Sequence, residues 1–416
     1  MNHAVNATVH SACGSEPGLI SVDQALQMIL DHTDHLGTEI LPLSQALNCF
    51  VAEDVYSEIQ LPMFSQSAVD GYAICMDTDM PSRSTFELIG EIRAGQVANF
   101  ELQPRQAVRI FTGAKIPKQT TTVARQEIVQ FDGSSITLTE ALRLDADVRK
   151  AGEEITIGQC LASQGQQLSI GTIAALSMAG VREVSVYRYP KIAVVITGDE
   201  VAETVEDLNS GKIFDANAPL IQAWFQSRNQ QVDILHVADT EQAVCDLFTN
   251  LRDQYDLILT TGGVSVGDYD FVRPVALKLG FEQIFWKVKQ KPGKPMFFAK
   301  SERSEQGTCY LLGLPGNPGA VYVGMQIYVA TLMDALQGQK LLPQWFNGVI
   351  SHDLKADSRE RLLRMVASFE TGILKLSSLP KQQSHMLSNL MQANCLVRIP
   401  AHQNIQSGQV LQGLFI

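Results

Sequence analysis

The chain contains no C-x-x-C pair and no H-x-x-x-H or H-E-x-x-H spacing, so it lacks the usual ligand sets of zinc and iron–sulfur centres. Its seven cysteines, at 13, 49, 75, 160, 245, 309 and 395, are odd in number and widely scattered. That argues against a disulfide framework, and reduced core thiols are expected. Positive charge is in short supply: 32 Lys and Arg against 44 Asp and Glu leave −12, a field that repels nucleic acid and anionic lipid. Neither nucleic acid nor a membrane is expected as a partner. Long apolar runs are also missing. The most apolar helical stretch, Ala320 to Met333, is broken by Gln326 and Thr331 and falls short of the roughly 20 residues of a span. Residues 1–18 hold no Lys or Arg and no apolar h-region, so no signal peptide is read there and a cytoplasmic location is expected.

What is present is a folded chain. With 416 residues, 45% of them hydrophobic and 18% charged, two to four domains follow at about 100–200 residues each. Ser21, with Gln24 three residues on, precedes apolar Val22, Ala25, Leu26, Ile29 and Leu30, the signature of a capped amphipathic helix. From Thr85 to Leu138 short alternating runs and the Asp132-Gly133 turn predict a β-rich domain. Leu168 to Ala179 reads as a helix ended by Gly180 in the C′ position. Beyond Pro190, buried strands at Ile192–Ile196, Val232–Val237, Leu257–Leu259 and Tyr310–Leu312 alternate with helices, which implies a parallel α/β sheet. After about Gly338 the helical period gives way to strands at Leu362–Phe369, Ile373–Leu376, Leu396–Ile399 and Val410–Phe415, a small barrel or sandwich.

Ligands of parallel α/β sheets bind at the carboxyl ends of strands, and three such ends here carry suggestive loops. Thr260 to Asp270 combines Gly262, Gly263 and Gly267 with Ser265, Asp268 and Asp270. Its glycines let backbone N–H groups approach an anion and its acids suit a hard cation, although a tight loop with solvated acids explains the same residues. Leu314-Pro315-Gly316-Asn317-Pro318 can open a helix with Asn317 as cap, presenting the positive dipole end to an oxyanion; an ordinary turn is the plain alternative. Thr197-Gly198-Asp199-Glu200 offers two carboxylates to a divalent ion, or merely caps a helix. Lys287, Lys289, Lys291 and Lys294 form a basic stretch punctuated as Lys-Pro-Gly-Lys-Pro in an acidic protein, a pattern unlike a solvated charge run. On residues alone, a magnesium-dependent transferase or hydrolase of a phosphorylated metabolite is as far as this reading goes.

Taken in order, SAVDGYA (67–73), RIFTGA (109–114), RKAGEE (149–154), TGDE (197–200), GKIFDAN (211–217), GGVSVGDYD (262–270), KPGKP (291–295) and LPGNP (314–318) resemble the molybdopterin molybdenumtransferase family, bacterial MoeA and the gephyrin E domain. The resemblance covers roughly residues 19 to 416. It implies an elongated multi-domain α/β plus β chain: a linking domain in two segments (19–60 and 152–188), an inserted β-rich domain (61–151), a molybdopterin-binding α/β domain (189–338) and a C-terminal β-barrel (339–416). It further implies magnesium-dependent insertion of molybdate into adenylated molybdopterin with release of AMP, by a homodimer served by molybdopterin adenylyltransferase and serving apo molybdoenzymes.

Position by position, the resemblance assigns Glu200 and Asp270 to magnesium, and Gly262, Gly263 and Ser265 to the nucleotide and its phosphates. It gives catalytic roles to Asp70, Thr112, Arg149, Glu154, Asp239, Lys287 and Lys291, and binding roles to Lys294, Pro315, Gly316, Asn317, Pro318, Arg364 and Ser384. Lys291, Arg364 and Ser384 fall near molybdate or the pterin dithiolene. Three places depart from the family text, one of them Glu154, which follows Gly152-Glu153 where the family has Asp. Gly319-Ala320 stands where the family reads Val-Ser, so a serine associated with oxyanion binding is missing, and Lys118 to Arg125 lacks the usual Gly-Ala-Asp/Glu-Ala-Val-Val. A catalytically weak paralogue that binds pterin nucleotide or acts as a scaffold is the alternative.

Overall fold

The structure is a computed structural model that describes residues 18–76, 78–198, 201–202, 206–303 and 307–416. The chain forms two compact units, one of Ile40–Val186 and one of Met1–Glu39 with Tyr187–Ile416.

In the unit Ile40–Val186, six strands pair in the order Thr122–Arg125, Gly71–Ile74, Gln106–Ile110, Thr85–Ile92, Ser135–Leu138, Val129–Phe131. Alternation along these strands sends Tyr72, Ile74, Phe86 and Ile136 to one core and Ala73, Val108, Ile110 and Val123 to another, so the sheet is covered on both faces. The Asp132-Gly133 turn forms as expected. Asp132 accepts from the Ser134 and Ser135 N–H groups at 3.1 and 2.7 Å, and Gly133 adopts φ 102°, a left-handed conformation natural to glycine. Helix Ile170–Met178 starts at Ser169, whose hydroxyl accepts from Thr172 N. It ends in a Schellman motif: Gly180 N bonds Ser177 O and Val181 N bonds Leu176 O.

The other unit is built on a six-stranded sheet ordered Asp233–Val237, Ile192–Thr197, Leu257–Thr261, Gly307–Leu314, Phe297–Arg303, Glu282–Trp286. The first four strands are parallel and the last two join antiparallel. Odd and even positions of Ile192–Thr197 face different cores, Val194 and Ile196 one, Ala193 and Val195 the other, as a doubly covered sheet requires. Helix Val22–His32 carries the predicted capping box, with Ser21 and Gln24 exchanging bonds of 2.9 and 3.1 Å.

The apolar helix read over Ala320 to Met333 proves longer, because Pro318 sits at its first position. It runs Pro318–Leu336, 19 residues, long and apolar enough to cross a membrane. Its side chains Val321, Val323, Ile327, Tyr328 and Leu332 nevertheless lie inside this core. The C-terminal strands make a closed barrel: Glu360–Glu370 pairs with both Ile373–Ser378 and Cys395–Ile399, and Phe346–Ile350 and Val410–Phe415 complete the ring. Of the cysteines expected in the core, Cys49, Cys75, Cys309 and Cys395 are buried, but Cys160 is exposed. Burial pushes the thiols of Cys309 and Cys395 up to about 12 and about 11.

Candidate functional site

Three strand ends lie side by side because parallel register aligns them: Ile196 is opposite Thr261, and Thr261 is opposite Leu314. The turns that follow are tied together. Gly262 N donates to Leu314 O at 2.9 Å, Thr197 Oγ1 donates to Thr261 O at 3.1 Å, and Asn217 Nδ2 donates to Gly316 O at 2.8 Å. Gly262 has φ 92°, and a Cβ there would lie 2.5 Å from Thr197 Oγ1, so this crossing admits only glycine. The hydroxyls of Thr260 and Thr261, in the last two strand positions, are buried without a hydrogen-bond partner. Asp215 Oδ1 accepts from Asn217 N and Ala218 N at 2.8 and 3.1 Å, so the residue before the Ala216 cap position satisfies the first amides of helix Asn217–Gln226.

The loop after Gly263 is closed by Asp270, whose Oδ2 accepts from Gly267 N at 2.7 Å, leaving Ser265 and Asp268 exposed. Trp286 anchors the same loop from below, donating from Nε1 to Val264 O at 2.9 Å. Arg273 and Lys287 both lie over its ring, at 4.0 and 4.1 Å. Glu200, paired with Asp270 in the metal expectation, lies outside the described residues. Among the described residues no cluster of three His, Cys, Asp or Glu forms. Asp239 is half-buried just past strand Asp233–Val237.

The basic loop is held from inside. Gln290, 0% exposed, accepts a hydrogen bond from Tyr328 Oη at its Oε1 and donates from Nε2 to Gly293 O at 3.2 Å. Lys291 reaches Asp357 at 2.9 Å, and this contact holds the Asp357 carboxyl below its ordinary range. Lys294 is half-buried, its carbonyl accepting from Val288 N at 2.9 Å. A cavity of about 370 Å³ opens here, lined by Lys291, Asp357, Arg361, Ser378 and Gln382 among others. A larger one, about 420 Å³, lies around Asp23, Glu360 and Arg398 and touches the basic loop at Lys289. Three of its charges are mutually paired, Arg398 being bonded to both Asp23 and Glu360.

Arg364 is the unusual group. It is 1% exposed, and among the described residues no carboxylate pairs with it. Its guanidinium donates instead to the carbonyls of Met386, Lys381 and Gln383, the last two at 3.1 Å. Burial pushes its pKa down from the ordinary arginine value. Ser384, within the same carbonyl-bearing segment, accepts from Gly319 N at 2.7 Å through its backbone. That bond corrects one expectation. Asn317 occupies the cap position, but its side chain makes no capping bond, because the first free amide of the helix is taken by Ser384. Pro315 is buried, while Gly316 and Asn317 remain exposed beside Pro318.

In the unit Ile40–Val186, a separate patch brings together three of the motifs. Asp70 accepts from both the N–H and the hydroxyl of Thr112 at 2.8 Å; these bonds hold its carboxyl below the usual range. Gly113 N bonds Ser67 O at 2.9 Å, and Arg149 pairs in register with Gln66. Glu154 is exposed, its N–H bonded to Leu61 O at 2.9 Å. Sequence reasoning missed Trp286, Gln290 and Asp357. Of these only Gln290 carried any signal, as a lone amide inside a lysine run.

A mostly parallel sheet whose aligned strand ends carry glycine and proline loops defines an α/β protein of the class that binds ligands at the carboxyl ends of its strands. Residues 193–335 match the family described as "Probable molybdopterin binding domain", residues 20–180 "MoeA N-terminal region (domain I and II)" and residues 347–414 "MoeA C-terminal region (domain IV)". The chain is 34% identical over 401 residues to the molybdopterin molybdenumtransferase of Haemophilus influenzae, covering 94% of this chain and 98% of that one. It is 30% identical over 411 residues to that of Bacillus subtilis, covering 95% and 94%. A solved structure, the molybdopterin biosynthesis moeA protein from Pyrococcus horikoshii OT3, shares the fold at TM-score 0.80 with 24% identity, over 96% of this chain and all of that one. The chain belongs to the molybdopterin molybdenumtransferase family, enzymes of molybdenum cofactor biosynthesis.

Proposed function

We propose that this protein inserts molybdate into adenylated molybdopterin, with magnesium, and releases AMP. The observation that carries the reading is Arg364, a buried cation with no anionic partner among the described residues. Buried charges are ordinarily paired, so a neighbouring oxyanion would complete this one. Lys291 and Lys294 would add positive potential to the anion. The glycine turn at Gly262 and Gly263, with Ser265, would bring backbone N–H groups and a hydroxyl to the nucleotide phosphates. Asp270 is a single carboxylate with one oxygen engaged by Gly267, which suits magnesium, an ion commonly held by one or two carboxylates plus phosphate oxygens. Glu200 and Asp270 would hold it, and when bound it would neutralise phosphate charge.

The proposal extends to a cytoplasmic homodimer that receives substrate from molybdopterin adenylyltransferase and passes product to apo molybdoenzymes. Incubating purified protein with adenylated molybdopterin, molybdate and magnesium should release AMP and reconstitute an apo molybdoenzyme. AMP release that is indifferent to both molybdate and magnesium would sink the reading.

A further inference from the structure

The helix Pro318–Leu336 meets the segment 381–386 at the one early position with no side chain. Gly319 N donates to Ser384 O at 2.7 Å. A Cβ on Gly319 would lie 2.7 Å from that same carbonyl oxygen and 3.0 Å from Arg364 Nη1. The first of these is backbone and cannot swing aside. Gly319 lies in the helix and does not take a left-handed φ, so its conformation is open to any residue. Glycine is also among the poorest helix formers. Space, therefore, is what glycine supplies here.

The segment it admits is the one that clamps Arg364. Lys381, Gln383 and Met386 give their carbonyls to the guanidinium. Gln382 brackets the Arg364 backbone, accepting from its N–H at 3.1 Å and donating to its carbonyl at 2.7 Å. Asn389 fixes the start of the segment through the carbonyls of Pro380 and Lys381, at 2.9 and 3.1 Å. The position of the buried cation thus depends on residues 381–386, and their seat depends on Gly319.

We propose that Gly319 is a positioning residue of the oxyanion subsite: its missing side chain lets residues 381–386 seat on the helix and so sets where Arg364 points. This rests on reading the surroundings of Arg364 as that subsite. The Gly319 amide is then no anion donor itself, being committed to Ser384.

The test compares wild type with Gly319→Ala and Gly319→Val in three measurements: molybdate binding by calorimetry, turnover against molybdate concentration, and hydrogen exchange of amides 381–387. A displacement of an ångström can cost up to about a hundredfold. Gly319→Ala should therefore raise the molybdate Kd about tenfold and speed exchange in the segment, while turnover at saturating molybdate stays within about threefold; Gly319→Val should do more. If Gly319→Val fails to fold, Gly319→Ala decides. Faster exchange in the segment with an unchanged Kd overturns the positioning role, as does wild-type exchange in both variants. Wild-type protein that binds no molybdate overturns the subsite reading, and the proposal with it.

Discussion

Asp256 and Arg364 are both buried charges in the unit that holds the α/β sheet and the barrel, 5% and 1% exposed, and their surroundings differ in kind. Asp256 takes two hydrogen bonds from Arg188 at 2.7 and 2.9 Å, one from Arg303 at 3.2 Å and one from Lys191 N at 2.9 Å. Burial alone would raise its pKa, but the Arg188 bonds and their companions bring it below the ordinary value. Every lone pair there has a use inside the protein, so the group needs no ligand. Among the described residues Arg364 meets only neutral carbonyls, and burial pushes its pKa down, the direction that disfavours its charge. A buried ion that the fold compensates holds structure; one that meets only neutral carbonyls is, on the reading proposed above, completed by a bound oxyanion.

The largest expected effect follows from breaking the compensated case. Asp256→Asn leaves Arg303, whose side chain is 7% exposed, facing a neutral amide, and unfolding in urea should show a loss of about 3–5 kcal/mol. The wild-type contribution from Asp256 has a definite sign with pH. Its folded pKa is depressed, so the stabilisation is complete above the unfolded carboxyl value and fades as pH falls through the folded one. A loss near zero at neutral pH would mean the cluster is not compensated as drawn.

Arg364→Met should behave in reverse. Stability should fall by no more than about 2 kcal/mol, because the orphaned carbonyls cost something while removal of an unpaired buried charge gives some back. Molybdate-dependent turnover should fall about a hundredfold or more, the scale for losing one donor to a developing or bound oxyanion. Should the two variants show the same pattern, large stability loss with activity tracking it, the distinction between the two buried charges fails.

How much of this was legible beforehand depended on the range of the forces involved. The Ser21–Gln24 capping box, the Gly180 helix end and the Asp132-Gly133 turn are written within a few residues, and each forms as read. Convergence of the loops at Thr197, Thr261 and Leu314 was legible too, since parallel register follows from βαβ alternation. The failures are long-range. Asn317 had the right type and position to cap, yet Ser384, 67 residues further along the chain, supplies the partner for the free amide. Gly319 stood out as a departure from the family text, but its clearance from Arg364 and Ser384 O exists only once the barrel is closed. Likewise strand Phe346–Ile350 went unread, because its place is set by pairing to Val410–Phe415 and Ile373–Ser378 rather than by its own pattern.

Asp334 sharpens the comparison as an intermediate case. It lies near Arg228, which stacks 3.9 Å over Trp224, yet no hydrogen bond ties the two together among the described residues. Burial raises its carboxyl to about 6, with Arg228 pulling the other way. The folded value is above the unfolded one, so the contribution of Asp334 to wild-type stability should be greatest below about pH 4, fall as pH rises to 6, and stay level beyond. Asp334→Asn should therefore gain about 1–3 kcal/mol on wild type at pH 8 and nothing at pH 4. Melting both proteins across that range settles the matter: an equal difference at the two ends would show that the carboxyl is not under strain.

The smallest effect is expected at Ala320, where the family text carries serine. A hydroxyl there would be attractive if the helix end were an open anion site, since one hydrogen bond to a charged group is worth about 1.5–3 kcal/mol at best. The geometry removes most of that gain. Ala320 is 1% exposed, its N–H is bonded to Asn317 O at 2.9 Å, and its Cβ lies 3.8 Å from where a Cβ on Gly293 would stand. A serine hydroxyl in that first turn also has a competing acceptor close by in the carbonyls of its own helix. Ala320→Ser should accordingly change the molybdate concentration for half-maximal turnover by less than about threefold, under 1 kcal/mol. A tenfold tightening would show that the anion reaches the helix terminus directly, and that Arg364 and the segment 381–386 share the oxyanion with it rather than standing in its place.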